Sequence, residues 1–359
     1  MGGAERKHVF NAGPGALPRA VLEEVQRDLV DWQGRGLSIM EMSHRSSTYE
    51  AIIAEARQTI ADLYALPADW DVLFLQGGAS LQFAMVPMNL GSGGAYLNTG
   101  TWSTNALAEA RRVGAAVELW SSAERGFDRV PGPDEVPATP DDAPYLHYTS
   151  NNTIYGTQYH HVPQSRAPLV CDMSSDFLSR PVDVAPYQLI YAGAQKNAGP
   201  SGVTIVLGPK ALLHAYTGAA SVPVILRYAT HAKKDSMYNT PNTFGIYVVG
   251  LVAKWVRDAG GLAAMVARNA AKAEALYGAL DAHPLVRGHA EPASRSQMNV
   301  TFRLETEDQE AAFLRLATAR GMMGLKGHRS VGGLRASIYN AVEPASVDAL
   351  VALLADFKG

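Results

Sequence analysis

Two residues of opposite charge stand at the ends of consecutive apolar runs. Pro168-Leu169-Val170-Cys171-Asp172 ends on a carboxylate. Gln188-Leu189-Ile190-Tyr191 leads through Ala192-Gly193-Ala194-Gln195 to Lys196. Ligands of open α/β sheets bind outside the carboxyl ends of the strands. Most lysines lie on solvated helix faces. A lysine at a strand end is desolvated instead, which lowers its pKa and favours a neutral, nucleophilic amine. The alternative is a lysine that snorkels to water from a loop.

A third feature is Gly77-Gly78-Ala79-Ser80, between the apolar run Asp71–Gln76 and a helical stretch. Backbone N–H groups at a helix start point outward and carry partial positive charge, and small residues let an anion approach them. An ordinary turn capped by Ser80 is the competing reading. No Lys-Ser/Thr follows, as a P-loop requires, and the GxGxxG spacing is absent.

Anion cup, lysine and carboxylate together fit pyridoxal 5'-phosphate. That cofactor needs a site for its phosphate, a lysine to form a Schiff base and a carboxylate to keep its pyridine nitrogen protonated. Trp102, after Gly100-Thr101 at the next strand end, is the candidate aromatic to stack on the ring, or else a core tryptophan at a helix start. A cationic set completes the inventory: Ser43-His44-Arg45, Lys326-Gly327-His328-Arg329-Ser330 and Gly332-Gly333-Leu334-Arg335. Arginine forks match carboxylates and phosphates bidentately. As a set these residues suit a small polyanion; singly, each also fits a solvated loop.

The elements that must position these residues follow from apolar periodicity. Helices are expected over Glu23–Trp32 (stripe Leu22, Val25, Leu29, Trp32), Tyr49–Leu63, Ser80–Asn89 (ended or kinked at Pro87) and from Gly100 through Arg112. Others follow Pro241 past Trp255 and span Leu262–Leu280, Gln309–Ala319 and Ser346–Phe357. Strands are expected at Asp71–Gln76, Ala95–Asn98, Val117–Trp120, Tyr145–Tyr148, the two runs above, Gly202–Leu207, Met298–Leu304 and Leu334–Tyr339. Ser121–Pro144, rich in Pro, Asp, Glu and Gly, reads as a surface excursion. The alternation implies a mostly parallel sheet sandwiched by helices. The C-terminal part has the grammar of a small α/β domain.

Composition bounds the rest. The chain has 359 residues, 47% hydrophobic and 18% charged, enough for about two domains with sizeable cores. The net charge of −3 disfavours a strongly basic nucleic-acid binder. A single cysteine, Cys171, excludes an internal disulfide and metal centres built on several cysteines. No run approaches a membrane span of ~18 apolar residues, and Met1–His8 lacks the apolar core of a signal peptide. The expectation is a soluble cytoplasmic protein.

Several ordered motifs resemble phosphoserine aminotransferase: Asn11-Ala12-Gly13-Pro14-Gly15, Met42-Ser43-His44-Arg45, Phe74-Leu75-Gln76-Gly77-Gly78-Ala79-Ser80, Ser150-Asn151-Asn152-Thr153 and Asp172-Met173-Ser174-Ser175. So do Tyr191-Ala192-Gly193-Ala194-Gln195-Lys196-Asn197, Asn239-Thr240-Pro241 and Gly327-His328-Arg329-Ser330-Val331-Gly332-Gly333. The resemblance runs from about Phe10 to the C-terminus. It implies a class V aminotransferase of fold type I: a large pyridoxal-phosphate domain, residues 16–257, and a small α/β domain, residues 258–359, on which the N-terminal segment 1–15 packs.

By that resemblance, Lys196 joins the cofactor and then shuttles the proton, Asp172 pairs with the pyridine nitrogen, and Trp102 stacks. Ala79, Ser80 and Gln195 bind the cofactor phosphate and Thr153 the ring oxygen. Asn239 and Thr240 reach that phosphate from the other subunit of a homodimer. Arg335 clamps the substrate α-carboxylate, while His44, Arg45, His328 and Arg329 hold the substrate phosphate or the glutamate side chain. The implied substrates are O-phospho-L-serine, 2-oxoglutarate, 3-phosphooxypyruvate and L-glutamate, in serine biosynthesis. In some organisms the family also acts on a phosphorylated hydroxythreonine in vitamin B6 (pyridoxine) biosynthesis. Some members have Gly-Gly-Arg-Gly where this chain has Gly78-Ala79-Ser80-Leu81, so one substrate-facing arginine is absent. Three rivals differ in chemistry. A cysteine desulfurase needs a reactive Cys on a mobile loop, and Cys171 lies in a buried run. A nicotinamide-dependent dehydrogenase needs a dinucleotide fingerprint. A catalytically silent anion-binding module would keep the cations and transfer no amino group.

Overall fold

The apolar runs bury both of their faces. The structure is a computed structural model that describes residues 6–329 and 331–359; residues 1–5 of the expected N-terminal segment and Ser330 of the cationic loop lie outside them. The strands are β1 His8–Val9, β2 Trp70–Leu75, β3 Ala95–Asn98, β4 Val117–Ser121, β5 Leu146–Thr149, β6 Asn151–Asn152, β7 Thr157–Gln158, β8 Leu169–Asp172, β9 Tyr187–Gly193, β10 Thr204–Pro209, β11 Val286–Gly288, β12 Asn299–Leu304, β13 Met322–Met323 and β14 Leu334–Ser337. The helices are α1 Arg19–Asp28, α2 Ser47–Leu63, α3 Gly78–Leu90, α4 Thr101–Val113, α5 Lys210–Leu213, α6 Tyr228–Ala232, α7 Thr243–Asp258, α8 Gly261–Ala282, α9 Glu307–Ala319 and α10 Pro344–Asp356.

Seven strands form the central sheet in the order β2-β10-β9-β8-β5-β3-β4. Only β10 runs against its neighbours. Alternate side chains enter different apolar layers, as a strand period of two requires. Val72 and Phe74 of β2 and Ile190 and Ala192 of β9 pack into the layer under α2 and α7. Leu73 and Leu75, and Leu189 and Tyr191, pack into the opposite layer with Phe83 of α3 and Ala106 and Leu107 of α4. Burial on both faces is what makes these strands read as continuous apolar runs.

Three expectations change. The first helix lies earlier, α1 ending at Asp28, and Trp32 is buried from a separate 3₁₀ turn, Trp32–Gly34. The expected stripe therefore breaks: Leu22 and Leu29 are exposed, and Val21 is buried in their place. Pro87 neither ends α3 nor stops it short of Leu90. Ser121–Pro144 has little regular structure, as its composition suggests, but part of it straps one core to the other. Arg125 bonds both Asp128 and Glu291, the Glu291 N–H donates to the Asp128 carbonyl at 2.9 Å, and the Val130 N–H donates to Ser294 Oγ at 3.1 Å.

A second core is built on the antiparallel sheet β11-β12-β14 with α8, α9 and α10. Phe10, fully buried, belongs to it. The N-terminal chain is fastened there by β1 alongside β13 and by the Ser337 N–H donating to the Phe10 carbonyl at 3.1 Å. It then crosses to the central sheet, where the Gly15 N–H donates to the Gln195 carbonyl at 2.7 Å. A Cβ at Gly15 would lie 2.4 Å from the Lys196 carbonyl oxygen and 2.9 Å from the Tyr339 ring. Gly15→Ala is therefore expected to cost about 1–3 kcal/mol, by forcing backbone apart in a packed region. Its melting temperature, measured by calorimetry, should fall by several degrees; an unchanged value contradicts the close approach.

Candidate active site

The carboxyl ends of β2, β3, β5, β8 and β9 meet the start of β10 at one cavity of about 440 Å³. After β2, Gly77 takes a left-handed conformation (φ 88°), which favours glycine, and α3 begins with no side chain capping it. The first-turn N–H groups have no partner within the helix, and Gly78, Ala79 and Ser80 line the cavity. After β3, Trp102 sits in the first turn of α4, with its indole Nε1–H donating to Thr153 Oγ1 at 3.0 Å. That bond fixes the plane of the indole and leaves the threonine hydroxyl its own proton to donate.

Asp172 ends β8 and is almost fully buried. Its Oδ1 accepts from the Ser174 N–H at 2.9 Å and from Ser174 Oγ at 2.6 Å. Ser174 Oγ in turn accepts the Gly193 N–H at 2.9 Å, which ties the carboxylate to the end of β9. Hydrogen bonds to a charged group contribute about 1.5–3 kcal/mol each. Burial raises the Asp172 carboxyl, against the pull of Lys196 and the Ser174 bonds. Lys196 lies in the turn after β9, with Nζ 5.1 Å from the centroid of the Trp102 ring. Burial lowers its amine; Asp172 opposes that shift and Arg335 adds to it. A buried amine whose pKa is lowered, beside one carboxylate, suits a lysine that reacts as a nucleophile and then carries a proton.

Arg335, on β14 of the second core, reaches the same cavity. Its Nη1 donates to the Thr153 carbonyl at 3.0 Å, and its buried Nε has no hydrogen-bond partner among the described residues. A guanidinium in the wall of a cavity matches an anionic acceptor in charge and geometry. His328 lines the cavity as well, its imidazole lowered by burial and by the neighbouring Arg335 and Arg329.

Sequence reasoning thus named nine residues that one cavity gathers: Ala79, Ser80, Trp102, Thr153, Asp172, Gln195, Lys196, His328 and Arg335. The others do not line it within one chain. Arg45 and Arg329 are exposed, His44 is half-buried in the loop before α2, and Asn239 and Thr240 are exposed beyond α6. The Thr240 carbonyl accepts from Gln76 Nε2 at 3.1 Å. Sequence reasoning missed Ser174, although a serine two residues after an aspartate is the spacing at which side chain and backbone bond locally. It also gave no role to Ser201 and Gly202. They line the cavity because β10 is antiparallel, so it is its start, not its end, that lies there.

Comparison with known proteins identifies the family of the chain. The family profile "Aminotransferase class-V" matches residues 8–350. The chain belongs to the class-V aminotransferases. It is 50% identical over 359 residues to the phosphoserine aminotransferase of Lysinibacillus sphaericus, covering 99% of this chain and 98% of that one. The solved phosphoserine aminotransferase of Bacillus circulans subsp. alkalophilus is 47% identical, with a TM-score of 0.95 and 99% of each chain covered. That of Trichomonas vaginalis, solved with bound pyridoxal phosphate, is 37% identical, with a TM-score of 0.93 over 98% of this chain and all of that one. The aminotransferase therefore has the fold type I architecture expected of it: a mostly parallel sheet between helices, with a smaller α/β core beside it. Among the described residues no helix is long and apolar enough to cross a membrane.

Proposed function

We propose that the chain is a phosphoserine aminotransferase, moving an amino group between L-glutamate and 3-phosphooxypyruvate to give O-phospho-L-serine and 2-oxoglutarate. The observation that carries this reading is the convergence of Lys196, Asp172 and Arg335 on one cavity in a chain 50% identical to named phosphoserine aminotransferases. The cavity fits pyridoxal 5'-phosphate: a buried carboxylate, an indole face beside a lysine and an uncapped helix start are all present. When bound, that cofactor supplies an electron sink for the carbon that loses its proton.

The chain's own residues supply the rest. Asp172, kept in place by Ser174, holds a proton at the ring nitrogen. Trp102 covers one face of the ring, and the Thr153 hydroxyl donates to the ring oxygen. Ala79 and Ser80 offer N–H groups and a hydroxyl to the cofactor phosphate, with Gln195 beside them. Lys196 would hold the cofactor covalently at rest, and its neutral amine would take the proton from the substrate's α-carbon onto Nζ and return it from there. Arg335 takes the α-carboxylate through its guanidinium. His44, Arg45, His328 and Arg329 hold the phosphate or the second carboxylate of the substrate.

Asn239 and Thr240 serve the partner's cofactor phosphate in a homodimer. Their exposure supports this, as do the exposed Val224, Ile225 and Tyr238 in the same stretch of chain and the exposed Leu22, Leu29, Val30, Leu37 and Met40 near the N-terminus. We further read residues 16–257 as the large domain and 258–359 as the small one, with the N-terminal segment on the latter. The enzyme is assigned to the cytoplasm and to serine synthesis.

The test is the visible absorption of the cofactor-loaded enzyme before and after O-phospho-L-serine is added alone. Loss of the band on stoichiometric addition is expected. A band that phosphoserine leaves unchanged removes the substrate and keeps the cofactor. Failure to form any band on loading removes both.

A further inference from the structure

Lys272 lies in α8, 2% exposed, and does not line the cavity. Burial pushes its amine down to about 7; in the charged form it has three protons to place, and its three acceptors are all backbone carbonyls. Nζ donates to the carbonyl oxygens of Ile338 at 2.8 Å, Tyr339 at 2.6 Å and Val342 at 3.2 Å. An apolar side chain of similar length would fill the space without desolvating a charge. The choice of lysine points to the segment it binds.

Two further side chains of α8 hold the same segment. Arg268 Nε donates to the Asn340 carbonyl at 3.1 Å, and Asn269 Nδ2 donates to Asn340 Oδ1 at 2.7 Å. Asn340 passes the constraint on. Its N–H donates to Asn197 Oδ1 at 2.9 Å and its side chain to the Leu178 carbonyl at 2.7 Å. Asn197 Nδ2 donates to the Phe177 carbonyl at 2.6 Å. Asn197 directly follows Lys196.

We propose that Lys272 is a positioning residue for transamination: by gathering the Ile338, Tyr339 and Val342 carbonyls it shapes the segment through which Asn340 holds Asn197, and so sets the backbone from which Lys196 works. The inference rests on the functional reading above. Proton transfer is sensitive to such placement, since a displacement of about 1 Å can cost ~10²-fold in rate. Arg335 precedes that segment on the same strand, but its own backbone is fixed by pairing with Thr301 of β12 and by its N–H donating to the Leu325 carbonyl at 2.8 Å. The clamp therefore acts on turnover more than on substrate capture.

The test compares the holoenzyme with Lys272→Met, Asn340→Ala and the double variant. The readouts are kcat, the KM for phosphoserine, and the pH midpoint of the visible band. Each single change should lower kcat about ten- to a hundredfold, leave KM within about threefold, and move the midpoint by about half a unit or more. The double variant should lose little beyond the worse single one, because both act through one path. Unchanged kcat and midpoint in a folded Lys272→Met with only a lower melting temperature overturns the proposal, as do losses that multiply in the double variant. Should Lys272→Met not fold, Asn340→Ala decides, since it leaves Lys272 bonded; parental kcat and midpoint there overturn the proposal. A parent inactive on phosphoserine removes the functional reading, and the midpoints then decide on the clamp alone.

Discussion

Lys196→Ala is expected to retain pyridoxal 5'-phosphate and to turn over phosphoserine at least about 10⁴-fold more slowly than the parent, the scale of losing a positioned acid–base group that is also the covalent anchor. The phosphate cup at the start of α3, the Trp102 face and Asp172 all remain in this variant, so binding survives. What is lost is the one amine in the cavity, whose pKa burial lowers. Turnover of the fully loaded variant, measured by coupled assay, checks this. A rate within tenfold of the parent removes Lys196 from the reaction.

Asp172→Asn should lower kcat by about 10²–10³-fold, the range for removing one preorganised electrostatic partner. Asparagine keeps the shape and an acceptor oxygen for Ser174, so the fold should hold and the loss should reflect charge. A second readout has a definite sign. Asp172 raises the Lys196 amine against the lowering by burial, so removing the carboxylate lets that amine fall further. In the cofactor-free variant, Lys196 should become neutral, and react with an amine-directed acylating reagent, at a lower pH than in the parent. Peptide mapping of the modified lysine follows the profile. A profile that stays put or moves to higher pH contradicts the coupling, and a parental kcat contradicts the role.

Both predictions depend on how the two cores are joined behind the site. Asn151, just after β5, donates to Ser175 Oγ at 2.7 Å and to Asn299 Oδ1 at 2.8 Å. Asn299 donates to Ser337 Oγ at 2.8 Å and to Tyr339 Oη at 3.2 Å, and Tyr339 Oη donates to the Ala12 carbonyl at 2.7 Å. A buried network of this kind is stabilising when its members are satisfied and fixes relative position as well. It links the strand ends that carry Thr153 and Asp172 to the sheet that carries Arg335.

The sequence by itself determined the seven strands of the central sheet, most helices and the order in which chemical groups leave the sheet, but not the short strands β1, β6, β7, β11 and β13. Doubly buried strands must read as apolar runs, and Asp172 and Lys196 could be seen at the ends of two of them. Gly77-Gly78 announced a tight turn into a helix because few other residues adopt that backbone. Only the tertiary structure decided which of the cations belong together. Arg335 reaches the cavity because the second core is brought against the large one by contacts distant in sequence, such as its own bond to the Thr153 carbonyl, whereas Arg45 and Arg329, equally cationic, stay exposed. Periodicity reports a neighbour within one element and carries no information about which element packs on which. For the same reason the chain gave no hint that Gly15 passes against Lys196, that the irregular stretch near Arg125 would strap two cores together, or that Lys272 would bind the segment whose Asn340 contacts the neighbour of the reactive lysine.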